Sequence, residues 1–345
     1  STTFSLADAL GTNLNTTGYT AYSSAGTVTT PDTRFELQDS SGTNLDTSSY
    51  GTFSASGNDV VNKLTDPLLN KTTDTYPSCV TFFEQRLVFA GSNNDPQSLW
   101  FSKSGSYENF TTGVNASDAM VYTIASNKVN AIRNLSAQRS LIVGTVGGEF
   151  VVSASGTTSP ITPTNIQIQK QSSYGSANVE AVQIENVTMF LQRAKRKVRE
   201  LTYNLNIDQY QAADMTLLAE HISEGGITEM AYQQEPDSIL WCVRSDGTLL
   251  GFTYARAEEV VGWHRHILGG AFGSGQAVVE SVASIPGDDN EDELYMIVKR
   301  TINSVTRRYV EYLNLFDYGT DQKDAFFVDS GLTYSGSPIT SLSGL

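Results

Sequence analysis

The feature that most constrains this chain is a recurrence. Five times between residues 77 and 316, a short apolar run is followed by a turn and then by a second apolar run. The leading runs start at Leu87, Leu141, Met189, Ile239 and Leu294, a period of about 50 residues. Their partners start at Leu99, Glu149, Val198, Leu249 and Arg308. A further short strand is expected upstream of each pair, over Cys79–Phe82, Val129–Ile132, Val179–Val182, Ile227–Ala231 and Val279–Ala283. Val, Ile, Thr and Tyr fill the runs, with Ser, Gly and Asn between them, a vocabulary of strands and turns. A unit of three or four short strands repeating at this period reads as a propeller blade, which cannot bury both faces alone and stacks on its neighbours. The expected fold is therefore all-β: a β-propeller-like body of about five antiparallel units over 77–316. A β-sandwich pair and an irregular β-solenoid are the alternatives. One short helix is expected over 213–223, where the apolar spacing in ADMTLLAEHIS fits a helical face.

The flanks read differently. Residues 1–76 are rich in Ser, Thr, Gly, Asn and Asp and read as an irregular β appendage, and 317–345 read as the start of a C-terminal β segment. No stretch approaches the roughly 20 apolar residues that cross a bilayer, so no membrane insertion by this chain is expected. The opening STTFSLADAL has neither the basic region nor the apolar run of a signal peptide.

SLIVGTVGGEFVVSA, residues 140–154, is the segment most easily mistaken for a site. A phosphate-cradling loop needs a Lys and a helix after its glycines. Here an acid, Glu149, and a strand-like run follow, so the glycines read as a hairpin turn. Glu149 is expected to face either a channel or a neighbouring subunit.

Other candidates carry weaker signals. Cys79 and Cys242 sit in apolar runs and read as buried free thiols. GWHRH, residues 262–266, places His264 and His266 on one side of a strand, where they could share a metal only if the fold brought in His221. With Trp263 beside them, an interface or surface strand is the better reading. RAKRKVRE, residues 193–200, is the one basic cluster, either a grip on an acidic partner or a solvated hairpin tip. GDDNEDE, residues 287–293, departs from the EF-hand pattern and reads as a solvated acidic loop. SDGTLLGF, residues 245–252, is a turn. No catalytic constellation, cofactor motif or metal-ligand spacing is present, so neither an enzyme nor a cofactor is expected.

Longer strings carry a resemblance. TPTNIQIQKQSSYGSANVEAVQIENVTMFLQRAKRKVRELTY and ITEMAYQQEPDSILWCVRSDGTLLGFTYARAEEVVGWHRH resemble the tail nozzle family of short-tailed bacteriophages, also called tail tubular protein B. YPSCVTFFEQRLVFAGSNNDPQSLWFSKSGSYENF and LIVGTVGGEFVVSA fit the same family in the same order, so the resemblance spans about residues 77–340. It implies a virion structural protein with a propeller-like body. It further implies a homo-oligomer, a hexameric ring that meets portal, adaptor and other tail proteins, through which genomic DNA passes during ejection. The formal net charge of −15, from 37 acids against 22 bases, agrees with a conduit that does not grip phosphates. Asp288, Asp289, Glu291, Asp292 and Glu293 are the candidate channel-lining acids. Trp263, His264, Arg265 and His266, then Lys195, Arg196 and Lys197, are the candidate subunit-interface residues. A carbohydrate-binding or glycan-cleaving propeller, the latter needing paired carboxylates, is the alternative function.

Overall fold

The structure is a computed structural model that describes residues 76–125, 130–155, 159–287 and 291–314, with residues 320, 321 and 331. The chain divides into two units, Ser1–Asp59 and Val60–Leu345. The first lies outside the described residues, as do the expected appendage up to residue 75 and nearly all of 317–345.

The second unit is all-β and propeller-like. Each expected repeat is one antiparallel sheet whose strands follow one another in chain order. The first sheet comprises β1 (Cys79–Phe83), β2 (Arg86–Ala90), β3 (Ser98–Phe101) and β4 (Met120–Thr123). The second comprises β5 (Ile132–Ala137), β6 (Leu141–Thr145), β7 (Gly148–Ala154) and β8 (Ile166–Lys170). The third comprises β9 (Val182–Ile184), β10 (Val187–Leu191), β11 (Val198–Asn204) and β12 (Gln209–Asp214). The fourth comprises β13 (Ile227–Gln233), β14 (Ile239–Arg244), β15 (Leu249–Ala255) and β16 (Val260–His266). A short hairpin, β17 (Ala271–Phe272) with β18 (Gly275–Gln276), precedes the three-stranded fifth sheet of β19 (Val278–Pro286), β20 (Asp292–Ile302) and β21 (Val305–Tyr312).

The sheets stack through their first strands. β1 packs on β5, β9 on β13, and β13 on β19. Between the second and third sheets, Ile142 and Val151 meet Phe190 and Leu201, and the Asn134 amide donates to the carbonyls of Ala177 and Val179. Three larger apolar clusters lie within and between the sheets. One joins the first and second sheets, one the third and fourth, and one the fourth and fifth. The central strands alternate least: β6 and β10 are buried at every position, as expected of a strand covered on both faces.

Several details differ from the sequence reading. Residues 213–223 form no helix: Ala213 and Asp214 end β12, and turns run through 215–225. The Asp214 carboxylate accepts from the N–H and hydroxyl of Thr216, a local bond that competes with helix formation. Leu218, on the expected apolar face, is 96% exposed, so nothing there rewards a helix. Among the described residues the only helix is a single 3₁₀ turn, Arg256–Glu258. The upstream strands of the second and third units are displaced toward the C-terminus, to Ile132–Ala137 and Val182–Ile184, because pairing with the next strand fixes their register. The turn of the fifth unit is tighter than expected. Asn303 and Ser304, both at positive φ, close a two-residue hairpin between Ile302 and Val305.

Candidate functional site

The Gly-rich segment is a hairpin, as its composition implied. Thr145 pairs with Gly148, leaving Val146 and Gly147 as the turn. Glu149 faces neither a channel nor a neighbour, a correction to its expected exposure: it is buried. Its carboxylate accepts from the hydroxyls of Ser172 and Ser176, the latter at 3.0 Å. Its backbone carbonyl accepts from the N–H groups of Gln171 (2.8 Å) and Ser172 (3.3 Å). Burial pushes the carboxyl above the usual range, against the serine hydroxyls, the nearby Arg199 charge and the Tyr174 N–H. The sequence gives no local sign of this, because both serine partners lie more than 20 residues downstream, beyond β8.

Glu149 thereby pins segment 171–176, and that segment forms one wall of a groove. The facing wall is β12, the outermost strand of the third sheet. The groove holds about 680 Å3 and is lined by Gln171, Ser172, Ser173 and Tyr174 on one side and by Gln209 to Ala213 with Ile207 on the other. Arg199 is buried behind these walls, in contact with Tyr174 and Ala212. The guanidinium lies 3.5 Å from the Tyr174 ring centroid and donates to Gln192 Oε1 and to the Ala212 carbonyl, at 2.8 and 2.7 Å. Tyr203 packs edge-on against Tyr210.

The residues singled out in sequence are dispersed. Lys195, Arg196 and Lys197 form the β10–β11 turn. Lys195 and Arg196 are exposed, whereas Lys197 pairs with Asp214 and Glu220 at 2.7 and 3.0 Å. The turn's backbone is docked: the Lys195 carbonyl accepts from the N–H of Ile227, and that of Arg196 from the Ser223 hydroxyl. Arg199, from the same basic run, supports the groove through Tyr174 and the Ala212 carbonyl. Trp263 stacks on Phe252 at 4.6 Å and donates from Nε1 to the Met215 carbonyl. Arg265 points into solvent.

His264 and His266 share a face of β16, half-buried against Trp241, with His264 Nδ1 and His266 Nε2 2.7 Å apart. That bond requires at least one neutral ring. Burial lowers both imidazoles, and His264 further lowers His266. His221 is exposed. Among the described residues no group of three metal-ligating side chains forms. Cys242 is buried and Cys79 half-buried, both free thiols raised by burial.

Asp288 and Asp289 lie outside the described residues. Glu291 and Glu293 are half-buried at the start of the fifth sheet's central strand. Asp292 lashes β20 to the turn after β13. Its carboxylate accepts from the N–H groups of Gln234 (2.8 Å) and Glu235 (3.1 Å), and its carbonyl accepts from the Gln233 side chain (2.7 Å).

No protein-family description and no curated protein matches the chain. Among solved structures, the β-propeller domain of Cps50 (Swd1) from Myceliophteria thermophila is 7% identical, over 68% of this chain and 72% of that one, with a TM-score of 0.41. An auxiliary nutrient binding protein from Bacteroides ovatus is 8% identical over 66% of this chain, which spans 56% of it, with a TM-score of 0.37. Both overlaps are loose, and the fold assignment stands on the sheet arrangement of this chain. Among the described residues no helix is long and apolar enough to cross a membrane.

Proposed function

We propose that this chain is a structural subunit of a bacteriophage tail nozzle. Copies of it would join head to tail in a homo-oligomeric ring, six in number, below the portal and adaptor, with genomic DNA passing through. One observation carries the assembly part of the reading: the two end sheets of the stack keep uncovered apolar faces. On the first sheet, Val80 and Phe82 are 60% and 61% exposed, with Tyr107 edge-on against Phe82. On the fifth, Val310 and Tyr312 are 75% and 54% exposed, paired across the strands with Ile297 and Tyr295. Between consecutive sheets, apolar clusters cover the faces that meet. An apolar face on the first sheet and another on the fifth offer a heterologous contact, and such contacts close into rings when the rotation allows. Exposed apolar patches of this kind mark protein–protein contacts.

The charge balance supports the conduit part of the reading, since an acidic protein does not retain phosphates. A role as scaffold rather than catalyst is supported by the state of the buried acids: Glu149 is held by two serines and Glu200 by Arg256. The test is electron cryo-microscopy of particles carrying the chain. The expected result is a sixfold ring on the tail axis, with the first sheet of one copy against the fifth of the next. A lone subunit away from the axis would overturn the reading.

A further inference from the structure

The groove between segment 171–174 and β12 belongs to neither the hairpin nor the end faces, and its chemistry is specific. We propose that it binds a short stretch of an uncharged carbohydrate chain. Its volume of about 680 Å3 lies within the usual range for small-molecule clefts, about 300–1,000 Å3. The walls are amides, hydroxyls and aromatic rings. Gln209 and Gln211 project from one face of β12 and are exposed, and Gln171 and Ser172 face them. A primary amide offers two donors and an acceptor in one plane, a match for neighbouring hydroxyls on a sugar ring. Tyr174 supplies the stacking surface. Arg199 lies over one face of its ring and the residue is 43% exposed, which leaves ring surface for the C–H face of a sugar.

Three other ligand classes fit less well. An anion would need a free cation, but Arg199 already donates to Gln192 and Ala212, and its charge lies close to Glu149. A purely apolar ligand would strand the amide N–H donors of Gln171, Gln209 and Gln211, an unfavourable burial, although the Gln171 and Gln211 oxygens accept from Tyr210 and Asn204. An added peptide strand would need the free edge of β12, yet that edge is partly occupied. The Tyr210 N–H donates to Gln171 Oε1 in a long bond of 3.5 Å, and the Ala212 carbonyl is held by Arg199. The site is also built rather than incidental: buried Glu149 fixes the wall that carries Tyr174, and buried Arg199 fixes the ring itself.

The proposal is independent of the ring, since these residues lie on neither end face. Its test is titration calorimetry of the full chain with maltohexaose, cellohexaose and chitohexaose, beside a Ser/Gly hexapeptide. The wild type is expected to bind at least one hexaose and not the peptide. The double substitution Gln209→Ala/Gln211→Ala should weaken that binding at least tenfold while leaving the melting temperature in place, because both side chains are solvent-facing. Tyr174→Leu should weaken it to a similar degree. Failure of all three hexaoses to bind, binding of the peptide alone, or sugar binding that survives both variants would overturn the proposal. None of these outcomes bears on whether a ring forms.

Discussion

At the residue scale, two titratable sites pull stability in opposite directions with pH. Glu149 is held above its ordinary range by burial, so the folded state retains its proton at a pH where the unfolded chain has lost it. Its contribution is full below the unfolded value, about 4.3, and is lost as pH rises through the folded one. Glu149→Gln keeps the shape without the charge. It should melt above the wild type at pH 8, and the gap should close by pH 4. Glu149→Ala instead leaves the buried Ser176 hydroxyl and the half-buried Ser172 hydroxyl without their acceptor and should cost about 1–3 kcal/mol in urea unfolding. The histidine pair runs the other way. Burial depresses both rings, and the neighbouring His264 depresses His266 further, so the unfolded chain binds protons first as pH falls below about 6.5. Stability is full above that pH and declines below it. The double variant His264→Gln/His266→Gln should flatten this decline in melting temperature between pH 7 and pH 5. An unchanged slope would show that the pair does not carry it.

At the element scale, Asp292 joins β20 to the turn after β13 through bonds to two backbone N–H groups. Asp292→Ala should cost about 1–3 kcal/mol by denaturant melt, and Asp292→Asn, which retains an acceptor, less. How much of the architecture the sequence discloses follows from burial. The paired runs beginning at Leu87, Leu141, Met189, Ile239 and Leu294 lie on inner strands of their sheets, and their continuous apolar character makes them legible; β6 and β10 are buried at every position, whereas β2 and β20 alternate. The outermost strands are not. IQIQK in β8 and QYQAAD in β12 alternate between exposed and half-buried positions and offer no continuous apolar run. Apolar spacing at 213–223 imitates a helix because periodicity cannot register that Leu218 finds no partner. The groove is hidden for a related reason. Its walls come from two sheets, and the residue that fixes one of them, Glu149, looks in sequence like an exposed loop acid.

At the scale of the whole molecule, the first and fifth sheets each keep an exposed apolar face, and in the proposed ring these faces meet between copies. Phe82→Asp and Val310→Asp each place a charge on a surface already exposed in the single chain. Each should therefore leave the melting temperature of the isolated subunit nearly unchanged while abolishing association. Loss of a central interface contact of this size costs about 2 kcal/mol or more. The most direct measurement is sedimentation velocity of the purified 37.4 kDa chain over a wide concentration range, beside the Phe82→Asp and Val310→Asp variants. The expected result is a discrete species of six subunits for the wild type and monomers for both variants. A wild type that remains monomeric at every concentration, or variants that assemble as it does, would contradict it.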